Sequence, residues 1–139
     1  MSETLEQTAA KAPAVTGAVP YIHSSDASAA AEFYKKAFAA EEAMRMPADD
    51  GKRLMHCHLI INGGAVLMSD CFPEHGFPYI PQAGFQIHLQ VADGQAWWDR
   101  AVAAGCEVGM PFAKQFWGDT YGELKDPFGV KWSIGASEA

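Results

Sequence analysis

Apolar and polar residues alternate along several short stretches of this chain, and two longer stretches carry apolar residues at helical spacing. Residues 18–23 are apolar and β-prone, and Asp26 then precedes a helical pattern that continues to Phe38. A weaker strand is expected over residues 41–46. Residues 53–61 and 65–70 form a predicted hairpin around Asn62-Gly63, a favoured tight-turn pair.

The second half of the chain repeats this order of elements. Residues 85–91 alternate as a strand, a helix is predicted from Asp93 to a stop at Gly105, and strands follow at 107–110, 121–125 and 130–134. Gly129 precedes the last strand as Gly64 precedes an earlier one, 65 residues upstream, and Asp93 follows Asp26 by 67 residues. A near-constant offset predicts one unit of about 60 residues that occurs twice.

The predicted fold class is α+β, with two β-α-β-β-β repeats over residues 18–71 and 84–135. Together they supply eight strands, expected as one curved mixed sheet with the two helices on its outer face. Residues 18–139 are expected to form a single domain, and residues 1–17 a flexible leader. The proline-rich stretch between the repeats is predicted to be a linker or lid, because proline does not fit a central strand.

Side-chain alternation assigns the strand residues to two faces. The apolar set of each strand is expected to pack towards a helix, for example Met55, Cys57, Leu59 and Ile61. The opposite face then gathers polar and aromatic side chains that could line a small-molecule pocket. The predicted ligand-binding residues are Tyr21, His23, His56, His58, Gln86, His88, Trp117, Tyr121 and Glu123.

The His56-x-His58 pair could share a metal ion, since both rings emerge on the same side of one strand. A single strand histidine is more often solvated or hydrogen-bonded than a ligand, and this spacing is common by chance. We therefore predict no metal and no other cofactor. His75, in the linker, is expected to be simply exposed.

Composition narrows the classes of partner. The formal net charge of −7 disfavours nucleic acid and anionic membranes, which need clustered lysine and arginine. No apolar run approaches the length of a membrane-spanning helix, and the first 17 residues lack the basic start and apolar core of a signal peptide. The three cysteines form no CxxC pair and are expected to be reduced thiols in a cytoplasmic protein.

With these elements in place, the chain resembles the vicinal oxygen chelate superfamily, which includes glyoxalases, bleomycin-resistance proteins and extradiol dioxygenases. Within that superfamily it is similar to the phosphonate-operon glyoxalase-like branch. The resemblance covers about residues 17–134. The segments that carry it are Pro20-Tyr21, residues 32–38, Met55-His56, residues 67–70, residues 115–119, Tyr121-Gly122, residues 126–129 and Trp132.

The resemblance implies a metal site with four ligands, one from the first and one from the last strand of each half. Aligned by the repeat, those positions fall on Val19, Met68, Gln86 and Ser133. Only Gln86 suits a hard or borderline metal, because Val19 has no donor and Met68 offers a soft thioether. The usual metal site is therefore expected to be absent. The chain also has Thr120 where this branch tends to have arginine.

Three functions follow from these features. The first is a metal-independent protein that binds a small molecule in a histidine- and aromatic-lined cup. The alternative is a metal-dependent lyase, isomerase or dioxygenase whose site has moved to His56, His58 and His88, with Glu123 as a further ligand. Metal-free acid–base catalysis by His56 or His88 with Glu123 is the third. The resemblance also implies a homodimer, and the cup closes either within one chain or across the dimer.

Overall fold

The computed structural model describes residues 15–137, so most of the predicted leader lies outside the described residues. The described chain forms two compact units. Unit 1 comprises residues 15–35 and 39–80, and unit 2 comprises residues 36–38 and 81–137. The two units meet in sequence within the proline-rich stretch, between Ile80 and Pro81, and the last turn of the first helix belongs to the second unit.

Unit 1 contains the first β-α-β-β-β repeat. Its elements are β1 (Tyr21–Ser24), α1 (Ala27–Phe38), β2 (Glu41–Pro47), β3 (Leu54–Ile61) and β4 (Gly64–Asp70). The strands form a mixed sheet in the order β1-β4-β3-β2, in which β1 runs parallel to β4 and the other pairs are antiparallel. A short 3₁₀ turn, Pro73–His75, follows β4.

Local chemistry explains where these elements begin and end. The Asp26 side chain accepts a hydrogen bond of 3.0 Å from the Ala29 N–H, which caps α1 as predicted. The helix ends at Ala39, whose φ of 53° lies in the left-handed region. Asn62 and Gly63 have φ of 50° and 78°, which a two-residue hairpin turn requires, and they join β3 to β4.

Unit 2 contains the second repeat. Its elements are β5 (Ile87–Gln90), α2 (Gly94–Ala104), β6 (Glu107–Lys114), β7 (Thr120–Lys125) and β8 (Lys131–Ala136). The strand order β5-β8-β7-β6 repeats that of unit 1, again with the first strand parallel to the last. Asp93 caps α2 and Gly105 ends it, as predicted.

The core of unit 2 is centred on Trp132, which is fully buried. Its ring lies 4.3 Å from the ring of Phe38, measured between centroids, and this contact accounts for the place of residues 36–38 in unit 2. The indole N–H donates to Asp126 at 2.8 Å. Because Asp126 also accepts the N–H groups of Phe128 and Val130, it fixes the β7–β8 turn beside the core.

The predicted elements are present, and the eight strands are divided between two four-stranded sheets. The largest difference lies in β6, which continues to Lys114 although the sequence predicts a strand ending at Met110. Its pairing with β7 shifts register on both sides of Met110, and such irregularities break the alternation on which the prediction depends. Met55 was expected in the core and is instead 55% exposed.

Other expectations concern the membrane and the cysteines. In residues 15–137, no helix is both long and apolar enough to span a membrane. Cys57, Cys71 and Cys106 are all free thiols. Burial raises the pKa of Cys57 to about 11 and that of Cys106 to about 12, so both remain protonated at neutral pH.

Candidate functional site

One face of the unit 1 sheet carries the polar side chains that the sequence predicted there. Leu67 of β4 pairs with both Tyr21 of β1 and His58 of β3, so these residues share a face, together with His23 and His56 two positions along. The Tyr21 hydroxyl lies 3.1 Å from His56 Nδ1. The ring centroids of Tyr21 and His23 are 5.3 Å apart. The structure thus brings Tyr21, His23, His56 and His58 together on one face of the unit 1 sheet.

The two histidines of β3 differ in environment. His58 is only 3% exposed, whereas His56 is half-buried. Burial and the neighbouring His58 lower the pKa of His56 below its ordinary value, so its ring is neutral at pH 7. A neutral His56 accepts or donates a hydrogen bond with Tyr21 according to its tautomer, without carrying charge.

A cavity of about 680 Å³ opens in unit 1. It lies where β1 and β4 end and β3 begins, and the 3₁₀ turn after β4 forms part of its wall. We call this cavity the unit 1 cleft. It is lined by His23, Ala48, Asp49, Asp50, Arg53, Met55, Ser69, Asp70, Phe72, His75 and Phe77. Of the predicted ligand-binding residues, only His23 lines it.

A His–Ser pair forms the polar floor of the unit 1 cleft. His23 and Ser69 are paired positions of the parallel strands β1 and β4, and His23 Nδ1 lies 3.2 Å from Ser69 Oγ. Ser69 is 7% exposed, so its hydroxyl is held in place between the strand and the histidine ring. This arrangement fixes the orientation of the His23 imidazole towards the cavity.

Arg53 lines the unit 1 cleft and is held by two carboxylates. Its guanidinium donates to Asp50 at 2.6 Å and to Glu74 at 2.9 Å, and it lies over the Phe72 ring at 4.4 Å from the centroid. The Arg53 guanidinium lowers the pKa of Glu74 to about 2. Backbone N–H groups of Arg53 and Lys52, together with the same guanidinium, lower the pKa of Asp50 to about 2. Both carboxylates are therefore ionised at neutral pH.

Asp70 connects the cleft to the rest of unit 1. Its two carboxylate oxygens accept the backbone N–H of Ala27 at 2.8 Å and that of Leu54 at 2.7 Å. Ala27 is the first residue of α1, and Leu54 is the first residue of β3. Asp70 therefore holds the end of β4, and with it Ser69, against two neighbouring elements.

The segment after β4 was predicted to be a linker or lid, and its first part forms a small closed turn. Phe72 and Phe77 exchange backbone hydrogen bonds of 2.7 and 3.0 Å, and Pro73–His75 form the 3₁₀ turn between them. His75 is exposed, as expected, but it also lines the cavity. Because this turn lines the cleft, the segment contributes binding surface in addition to connecting the repeats.

Unit 2 gathers a second group of the predicted residues. Gln86 Nε2 donates to the Tyr121 hydroxyl at 2.6 Å, and Tyr121 in turn donates to Glu123 at 2.8 Å. The His88 ring stacks on Tyr121 with centroids 5.9 Å apart, and Trp117 meets the same ring edge-on at 5.8 Å. The structure thus brings five of the predicted residues into contact within unit 2: Gln86, His88, Trp117, Tyr121 and Glu123.

The repeat is also visible in side-chain chemistry. His88 Nδ1 lies 2.8 Å from Ser133 Oγ, across the parallel pair β5 and β8, as His23 meets Ser69 in unit 1. His88 Nε2 lies 2.8 Å from Gln90 Oε1, an oxygen that can only accept. Nε2 therefore donates to Gln90, and Nδ1 faces the Ser133 hydroxyl.

This register corrects the assignment of the family's metal positions. The equivalent of Ser133 is Ser69, whereas the expected Met68 lies on the buried face of β4 and is fully inaccessible to solvent. Ser133 is itself fully buried and engaged by His88. The corrected last-strand positions do not fit a metal ion, since both are buried serine hydroxyls engaged by histidines, and such hydroxyls are poor metal ligands.

The relocated metal site gains no support either. Within residues 15–137, no group of three or more histidine, cysteine, aspartate or glutamate side chains is arranged to hold a metal ion. His58 is buried, and His56 Nδ1 already faces Tyr21.

Sequence reasoning missed most of the unit 1 cleft. Met55 was assigned to the core, and Arg53 and Asp70 were given no role. Phe72 and Phe77 lie in the proline-rich stretch that the sequence predicts to be a linker or lid. The available signal was this pair of aromatic residues in a connecting segment, because binding residues often lie on such segments.

Comparison with known proteins agrees with this fold. A sequence profile described as the Glyoxalase/Bleomycin resistance protein/Dioxygenase superfamily matches residues 18–134. Protein Mb0911c of Mycobacterium bovis is 42% identical over 122 residues, which cover 84% of this chain and 80% of that protein.

Solved structures of other proteins have a similar fold. Protein PA1353 from Pseudomonas aeruginosa superposes with a TM-score of 0.70 at 28% identity, covering 89% of this chain and 99% of the other. TioX from Micromonospora sp. ML1 superposes with a TM-score of 0.71 at 24% identity, covering 88% of this chain and 99% of the other. The second likeness concerns the fold alone.

Proposed function

Since the chain belongs to the glyoxalase/bleomycin resistance protein/dioxygenase superfamily, we propose that it is a small-molecule-binding protein whose ligand enters the unit 1 cleft without the help of a metal ion. The observation that carries this proposal is the cavity of about 680 Å³, which has the size of an ordinary ligand site. Its wall combines apolar and aromatic side chains with a few fixed polar groups.

The apolar part of the wall supplies binding energy. Met55, Phe72 and Phe77 line the cleft, and Met55 and Phe77 are 55% and 68% exposed. A flat organic molecule that covers these side chains removes apolar surface from water, which stabilises the complex by about 25 cal/mol for each Å² buried. Phe72 is held by Arg53, so little side-chain entropy is lost on binding.

The polar part of the wall supplies orientation. His23 is held by Ser69, and Ser69 is next to Asp70, whose carboxylate is fixed by two backbone N–H groups. A ligand that hydrogen-bonds to the His23 imidazole therefore meets a preorganised partner. The predicted residues Tyr21 and His56 share the face of His23 and extend the same polar surface along the sheet, whereas His58 lies on that face but is buried.

The remaining predicted ligand-binding residues lie in unit 2. We propose that Gln86, His88, Trp117, Tyr121 and Glu123 form a second binding surface, in which Tyr121 is fixed by hydrogen bonds on both sides. That this surface and the unit 1 cleft contribute to one hollow stays a prediction. A homodimer and a cytoplasmic location also stay predictions. Light scattering that gives a monomer mass would refute the homodimer.

A ligand screen on metal-free protein tests the central proposal. Protein treated with EDTA is screened against diverse small molecules by thermal shift, because a ligand that binds only the folded state raises the melting temperature with dose. The affinity of each hit is then measured by calorimetry on wild-type protein and on Met55→Trp, which fills the cleft. Since Met55 is 55% exposed, the larger indole has room without disturbing the core.

The matched control is Val108→Trp on β6 of unit 2, a similarly exposed apolar strand residue at 44% exposure. We expect hits to lose at least about tenfold in affinity with Met55→Trp and to be unchanged with Val108→Trp. Two results would contradict the proposal. One is a set of hits whose affinity is unchanged by Met55→Trp, and the other is binding that disappears with EDTA and returns with zinc.

A further inference from the structure

The unit 1 cleft has an excess of negative charge. Its lining includes three carboxylates, Asp49, Asp50 and Asp70, against one guanidinium, Arg53, so two negative charges are left without a cation in the lining. The whole chain has a formal charge of −7, which adds to the same field. The cavity and its aromatic wall make the site, and the carboxylates set its electrostatic character.

Arg53 is the one lysine or arginine side chain of the lining, and protein oxygens already engage it. Arg53 donates to Asp50 and Glu74, its Nη1 lies 3.4 Å from the Cys71 carbonyl oxygen, and its face covers Phe72. A guanidinium has five N–H donors in a rigid fork, and here the fork is directed at protein oxygens. A phosphate or carboxylate ligand therefore finds no free guanidinium or ammonium group in the lining of this cavity.

The carboxylates differ in what they can offer. Asp50 is paired with Arg53, and Asp70 uses both oxygens on backbone N–H groups, so neither is released to a ligand without breaking protein contacts. Asp49 is exposed at the rim, and within residues 15–137 no hydrogen bond or ion pair is recorded for its side chain. Its carboxylate is therefore the acceptor that a ligand can reach.

The aromatic side chains of the cleft also favour a positively charged ligand. The face of an aromatic ring is negative, and rings attract organic cations more strongly as water is excluded. Arg53 already uses this attraction at Phe72. Phe77, 68% exposed, lines the cleft and is open to a second cation.

From these contacts we infer that the ligand of the unit 1 cleft is an organic cation: a flat apolar body packed on Met55 and Phe77 that carries an amidinium or ammonium group near Asp49. This inference rests on the proposed function, because it assigns a chemical class to the ligand of the same cavity. Neutral molecules of the same shape bind more weakly, and anions bind most weakly.

Three probes with the same ring system test the charge preference. They are 2-naphthamidine, 2-naphthamide and 2-naphthoate, which carry a planar substituent that is positive, neutral or negative. Calorimetry on the full chain at low ionic strength is expected to show the amidine binding at least about tenfold more tightly than the amide, with the carboxylate weakest. Raising the salt concentration should reduce the preference, since the Asp49 site is exposed.

Two charge variants test whether the preference for the amidine over the amide arises in the unit 1 cleft. Asp49→Asn should bring the affinities of amidine and amide close together while leaving that of the amide unchanged. Asp99→Asn on α2 of unit 2 makes the same change in net charge and should leave the preference intact.

Equal binding of the three probes, a preference that survives Asp49→Asn, or failure of all three to bind would overturn the inference. The proposed function would then still be judged by whether library hits respond to Met55→Trp.

Discussion

Ser69 and His23 meet across two parallel strands, and their repeat counterparts Ser133 and His88 meet in the same way. The Oγ–Nδ1 distances are 3.2 Å in unit 1 and 2.8 Å in unit 2. Both pairs lie between the first and last strands of their repeat. The unit 1 pair lines the unit 1 cleft, so its role in binding can be tested against its counterpart in unit 2.

We expect Ser69→Ala to weaken ligand binding in the unit 1 cleft. The variant frees the His23 ring from its hydroxyl partner, and loss of one such hydrogen bond costs about 1 kcal/mol, or about fivefold in affinity. Calorimetry with a hit from the screen measures this change. Ser133→Ala removes the same kind of contact in unit 2 and should weaken binding less than Ser69→Ala, since Ser133 does not line the unit 1 cleft. Equal losses in both variants would argue against a specific role for Ser69.

The ion pair between Arg53 and Glu74 should make the stability of the protein depend on pH in acid. Because the folded pKa of Glu74 is lowered to about 2, its stabilising contribution is present above the ordinary glutamate value and is lost as pH falls towards 2. Urea denaturation at pH 7, 4 and 3 should therefore show Glu74→Gln less stable than wild type at pH 7, with a difference that shrinks at pH 3.

Glu107→Gln provides the control for this experiment, since Glu107 is exposed on β6 and is not one of the residues that contact Arg53. It should have no such pH-dependent effect. A constant difference between Glu74→Gln and wild type from pH 7 to pH 3 would contradict the assigned ion pair.

Two glycines on adjacent strands of unit 2 should respond differently to the same substitution. A Cβ at Gly122 would lie 2.6 Å from the Trp98 ring and 2.8 Å from the Phe112 backbone, whereas a Cβ at Gly109 would meet nothing closer than 3.6 Å. We expect Gly122→Ala to destabilise the fold by about 1–3 kcal/mol through overpacking. Gly109→Ala should change the free energy of unfolding little. Similar denaturation midpoints for both variants would contradict the packing of β7 against Trp98.

The three thiols should react in a defined order. Cys57 and Cys106 are buried, and burial raises the pKa of each to about 11 and about 12. Cys71 is only half-buried, although burial and the Asp70 carboxylate raise its pKa as well. A thiol reagent at pH 8 should therefore modify Cys71 first and the other two only after unfolding, as mass spectrometry can follow. Early modification of Cys57 in the native protein would contradict this order.

Alternation and capping predicted most of the fold because they are local. Asp26, Asp93 and Asn62-Gly63 mark helix starts and a hairpin turn by their own hydrogen bonds and dihedral angles, so the sequence places them within a residue or two. The end of β6 could not be placed, because the pairing shifts near Met110 depend on the partner strand.

The candidate site was predictable only in part. Side-chain parity assigned Tyr21, His23 and His56 to one face, since that face follows from the pleat alone. The unit 1 cleft also depends on how the turn after β4 folds back and on which acids Arg53 reaches across 21 residues of sequence, as with Glu74. The alternation of apolar and polar residues along a strand predicts neither the fold of this turn nor the partners of Arg53. Alternation alone also assigned Met55 to the core, because it does not show that a cavity lies beside that residue.

The most direct test of metal-free binding in the unit 1 cleft is a ¹H–¹⁵N NMR titration of EDTA-treated protein with the tightest hit of the screen. We expect saturable shifts concentrated at four amides that all lie in unit 1, those of His23, Ser69, Phe72 and Phe77. Shifts confined to residues 84–137, or shifts that arise only after a metal ion is added, would contradict this expectation.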